Sequence, residues 1–202
     1  KRSFVEADRW AYWPALILFF GFAWLELVHP SPMDPETLAG FISLYVLLTT
    51  LGIKIFGAEF WLKNVEPFSV FFRMVGWLAP FYLKSSPDRK SLLSIGIRWP
   101  CSGLLRSESL PTGGVAFVLL VLATVSFDGL SKTFWWLSLV EKNPLEYPGR
   151  TEMMLPNTLG LCITFMIFFS AFYSVQRLAS WLNPEAQQTS SFIYSMIPIA
   201  FG

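Results

Sequence analysis

The 202 residues are 53% hydrophobic and 17% aromatic, with only 14% charged and a net charge of +1. A water-soluble domain has roughly a quarter of its residues charged, so too few are available here to cover a water-facing surface. Such a composition suits the bilayer core, which solvates neither charges nor bare peptide groups. The near-neutral balance excludes an electrostatic basis for nucleic-acid binding. Cys101 and Cys162 are far apart and form no CxxC, so they read as free thiols rather than a disulfide or metal pair. The sequence opens on Lys1 and stops at Gly202 inside an apolar run, which leads us to expect a piece of a longer polypeptide, or its ordered part. Glu6 and Asp8, with no small-residue cleavage site, argue against a signal peptide at the start.

Residues 13–28 form the first apolar segment, with Pro14 near its start, where a missing N–H costs nothing. The second, 38–56, ends near Lys54, whose long side chain can snorkel to the headgroups. The third covers 114–136 and the fourth 157–176, while a fifth, 190–202, is too short to cross, since about 20 residues are needed. Residues 68–83 are apolar but short, interrupted by Arg73 and flanked by Pro67 and Pro80. If this segment lies in the interface as an amphipathic helix, twelve of the fifteen basic residues fall on one side. If it crosses, the two densest basic clusters are split. The positive-inside rule favours the interfacial arrangement.

The expected fold is therefore all-α: a polytopic transmembrane helix bundle in a single membrane domain. It has about four full spans, a partial fifth, and one interfacial helix within a cytoplasmic excursion over 57–113. The first residue lies inside, while the 29–37 loop and residues 128–156 lie outside. Trp99, Trp135, Trp136 and Tyr147 are placed near boundaries, as amphipathic rings tend to be.

Four groups of residues invite chemistry. Glu26 and His29 form an E-x-x-H spacing on one helix face at the outer end of the first span, a pairing used in helical di-metal sites. Asp128 ends the third span on the same side, so a Glu26/His29/Asp128 metal site is one reading. Charges solvated at helix ends are the other. Asp128 by itself, after a long apolar run, is a candidate for an ion or substrate path. Its structural alternative is a local pair with Lys132 at i+4. Glu59, Glu66 and Arg73 are expected to solvate the polar face of the interfacial helix. Arg150, in the outer loop, is either an anion clamp or the partner of Glu146 or Glu152. Lys84, Arg89, Lys90, Arg98 and Arg106 are expected to attract anionic lipid headgroups.

Several motifs are missing from the sequence: a P-loop, GxGxxG, HExxH, GxSxG and a CxxCH haem attachment. A single histidine cannot supply bis-His haem ligation or a series of pigment ligands. No catalytic residue is assigned and no cofactor is expected beyond lipid, with a metal only through the Glu26/His29/Asp128 reading.

The stretches Phe68-Ser-Val-Phe-Phe72, Leu110-Pro-Thr-Gly-Gly-Val-Ala-Phe117, Ala123-Thr-Val-Ser-Phe-Asp-Gly129 and Asn143-Pro-Leu-Glu-Tyr-Pro-Gly-Arg150, together with Trp24-Leu-Glu-Leu27, carry a resemblance. Over most of its length the chain resembles a family of uncharacterised bacterial multi-pass membrane proteins. Some members are labelled as a component of a fenitrothion hydrolase, and members extend further at both ends. The resemblance implies a bacterial cytoplasmic-membrane location. The function expected first is a non-catalytic, accessory subunit of a larger membrane assembly, with other membrane subunits and lipids as partners. A transporter or channel component with an intramembrane acid comes second, and a membrane-embedded metal-dependent enzyme third.

Overall fold

The computed structural model describes residues 11–84, 94–103, 110–141 and 149–182. Most of these are helical. Helix α1 covers Trp13–Leu27, with a proline in its first turn. Helix α2, Pro35–Phe56, starts where the Asp34 carboxylate accepts a hydrogen bond from the Thr37 amide at 2.9 Å, satisfying one of the helix's free N–H groups. It stops at Gly57, whose φ of 83° is open to glycine and strained for other residues. The chain reverses there into α3, Ala58–Asn64, then α4, Pro67–Gly76. A short antiparallel hairpin follows, β1 Phe81–Lys84 and β2 Ser94–Ile97, with Phe81 opposite Ile97. Then come α5 Thr112–Ser131, α6 Phe134–Val140, α7 Gly149–Glu152 and α8 Met154–Leu182.

Helix α5 is the hub. It packs on α8 and α1, and its residues Ala116 to Leu120 are wholly buried. Helices α1 and α5 start at the same end: a side chain at Gly113 would strike the Ala11 carbonyl and meet Trp13. Further along, Phe19 and Phe117 sit 5.2 Å apart between ring centroids. Helix α8 runs the opposite way, with Gly160 against Phe127 and Phe172 in the cluster formed by Val115 to Val121. Helix α2 returns the chain to the end where α1 begins, because Asn64 in the next helix accepts a hydrogen bond from the Tyr12 amide. Residues 57–111 therefore begin and end at one end of the bundle.

Within that stretch the helix expected over 68–83 is shorter. It stops at Gly76, and residues 81–84 are a strand. Arg98 sits against this helix end: its guanidinium donates to the carbonyls of Gly76, the last helical residue, at 2.7 Å and of Ala79, three residues beyond, at 2.9 Å. Helix α4 lies along the first half of α1 and opposite to it in direction. Phe68 meets Phe22, Phe71 stacks on Phe19, and Val70 and Met74 are fully buried.

Among the described residues, three helices are long and apolar enough to cross a membrane: Pro35–Phe56, Thr112–Ser131 and Met154–Ala179. Helix α1 is apolar, but its 15 residues rise only about 22 Å, against about 30 Å of hydrocarbon. The span expected over 114–136 is interrupted. Helix α5 ends at Ser131, and the Thr133 hydroxyl caps the separate α6. Trp136, expected as a boundary ring, is instead core: it packs edge-on against Phe127 and donates to Asn157 Oδ1 at 3.0 Å. The segment 190–202 lies outside the described residues.

Candidate functional site

Among the described residues the one buried charged side chain is Glu66, at 4% exposure. The local sequence Glu66-Pro67-Phe68-Ser69 explains its backbone. Proline at the first helical position fixes a helical φ, and the preceding residue is held extended, at φ −74° and ψ 114°. From there the carboxylate turns back over the start of α4, accepting from the amides of Phe68 at 3.0 Å and of Ser69. A third donor comes from another element. The Tyr45 hydroxyl on α2 donates to Glu66 Oε1 at 2.5 Å, and its ring packs edge-on against Phe68.

Burial alone pushes the Glu66 carboxyl up. The hydrogen bonds from Ser69, Tyr45 and the Phe68 amide more than offset this and hold it below its ordinary value. Arg73, the basic residue of α4, does not face this carboxylate. It donates to the Tyr12 hydroxyl at 3.2 Å and the Lys63 carbonyl at 2.7 Å, and lies over the Tyr12 ring. Glu66 and Arg73 thus depart from the expected solvated face, Glu66 because it is buried against Tyr45 and the start of α4, Arg73 because it bonds Tyr12 and the Lys63 carbonyl of α3, whereas Glu59 is exposed. The signal for the cap was present as Glu-Pro followed by Ser69. Nothing local signals Tyr45, twenty-one residues away.

The other expected residues are arranged differently. Asp128 pairs with Lys132 at 2.7 Å, four residues on, and the two side chains are 44% and 72% exposed. Glu26 is exposed on α1. His29 is half-buried: its Nδ1 accepts from the Ser31 amide, and its ring lies between Trp24 and Phe41. No group of three or more His, Cys, Asp or Glu among the described residues is placed to share a metal ion, so Glu26, His29 and Asp128 do not form one. Of the expected headgroup contacts, Arg98 is engaged with helix carbonyls and with the Tyr82 ring, while Lys84 ends β1. Arg89, Lys90 and Arg106 lie outside the described residues, as do Glu146 and the side chain of Arg150.

Chemically, the Tyr45–Glu66 pair can hold or release one proton. Mechanically, it ties α2 to α4. A second polar tie joins α1 to α8, where Trp24 Nε1 donates to Thr158 Oγ1 at 2.9 Å. No family model matches the chain, and comparison with curated proteins and with solved structures gives no match.

Proposed function

We infer that the chain is a non-catalytic, accessory component of a larger assembly in a bacterial cytoplasmic membrane. The observation that supports this most is the state of α2. Of its 22 residues only Gly52 is buried, and its one extensive packing partner is α3. Helices in lipid associate through close packing and interhelical hydrogen bonds rather than a hydrophobic driving force. Among the described residues, helix α2 leaves one face, lined by Gly40, Leu44, Leu47 and Leu51, exposed. A neighbouring subunit's helix fits that face. The test is purification from native membranes in mild detergent, followed by mass spectrometry of every co-migrating chain. Stoichiometric membrane partners are expected. A lone, active polypeptide carrying a metal would overturn the reading.

One observation favours a second reading, a transport component with an intramembrane acid. The acid concerned is Glu66 rather than Asp128, because Glu66 is buried and Asp128 is exposed beside Lys132. Ionisable groups enclosed among membrane helices commonly mark proton or ion paths. Proton flux into vesicles that Glu66→Gln abolishes and Asp128→Asn leaves intact would move this reading ahead of the first.

A further inference from the structure

The β1–β2 hairpin has two unlike faces. On one, Phe81 and Ile97 are directly paired across the strands, and Ile95 lies two residues along. These three side chains are 60%, 79% and 71% exposed, and Trp99, just beyond β2, is 85% exposed. On the other face the Tyr82 ring covers Gly96, where any Cβ would strike it, and the Arg98 guanidinium lies 5.8 Å from that ring's centre. Arg98 in turn grips the carbonyls of Gly76 and Ala79, and Leu78 accepts from the Cys101 amide. The hairpin is therefore fixed to the end of α4 with its apolar face turned outward.

A two-stranded hairpin is marginal by itself in water, and large apolar side chains left in water add nothing to its stability. What covers the face is indicated by place and by charge. The hairpin hangs from Trp77 and Leu78, which pack on the same cluster as Tyr12 and Val115, at the end of the bundle where α1 and α5 begin. Residues 84–106 carry Lys84, Arg89, Lys90, Arg98 and Arg106 against the single acid Asp88. Apolar side chains beside an excess of basic ones match a leaflet with anionic headgroups. The hairpin's open backbone edges set the depth, since unpaired N–H and C=O groups are excluded from the hydrocarbon but are satisfied at headgroup level.

We propose that the hairpin lies in the headgroup–acyl boundary and inserts Phe81, Ile95, Ile97 and Trp99 into an anionic leaflet. The test uses the full chain in vesicles of phosphatidylethanolamine and phosphatidylglycerol, with Cys101→Ser and Cys162→Ser as background. A nitroxide is placed in turn at positions 81, 95, 97 and 99, and at 82 on the opposite face. The expected result is that dissolved oxygen relaxes the first four labels several-fold more strongly than a water-soluble nickel chelate does, and that position 82 shows no such excess. Stronger relaxation by nickel at the four positions would place the face in water and overturn the proposal. Protection from both reagents would also overturn it by revealing a protein occupant. Spin–spin broadening would then identify that occupant as a second copy, and its absence as another chain. Four independent positions keep the test decisive if one label perturbs folding.

Discussion

The Tyr45 hydroxyl, near the midpoint of α2, donates a 2.5 Å hydrogen bond to the Glu66 carboxylate at the start of α4. Among the described residues, α2 is otherwise tied to the chain mainly by α3 and by the ring contacts of Tyr45 with Phe68 and of Phe41 with His29. A hydrogen bond to a charged group contributes about 1.5–3 kcal/mol, so Tyr45→Phe is expected to destabilise by that order. Glu66→Ala removes the cap as well as the acceptor, and the two changes should be non-additive because they break the same bond. Unfolding of the two single variants and the double variant in detergent measures the coupling. Additive losses would mean that the two side chains do not interact.

Acid should weaken the same contact. Glu66 is held below its ordinary value of 4.5, so its contribution is complete above that value and is lost as pH falls through the depressed folded one. Asp34 acts in the same direction, because the Thr37 amide holds it low. Thermal unfolding followed from about pH 7 down to about pH 3 should show falling stability. Glu66→Gln should flatten part of the slope.

Close helix contacts at glycine give a third expectation. A Cβ at Gly160 would meet the rings of Phe127 and Trp136, and one at Gly113 would meet the Ala11 carbonyl. Alanine at either position should cost about 1–3 kcal/mol by overpacking. Gly21→Ala, in open space within α1, should instead stabilise by up to about 1 kcal/mol, because glycine is a poor helix former. Unfolding midpoints of the three variants should separate by sign.

Asp128→Asn should matter little. Its pair with Lys132 is exposed and local, and such pairs contribute about 0.3–0.5 kcal/mol. A loss well above that would show that Asp128 has a partner beyond Lys132.

The sequence by itself determined the helical, membrane-suited character of this protein and three of its long helices. The apolar runs at 38–56, 114–136 and 157–176 correspond to Pro35–Phe56, Thr112–Ser131 and Met154–Leu182. The boundaries moved where capping acts: Asp34 starts α2 early, and Thr133 starts a new helix where one continuous span was expected. The tertiary structure decided which charges are enclosed. A crossing segment must be apolar along its own length, because lipid offers its backbone and side chains no polar partners, and that property is legible one segment at a time. Burial of Glu66 needs a reversal at Gly57, a helix start at Pro67 and a donor from Tyr45, which no single stretch contains. Asp128, the more conspicuous acid in the sequence, stays exposed and finds its partner, Lys132, one helical turn away.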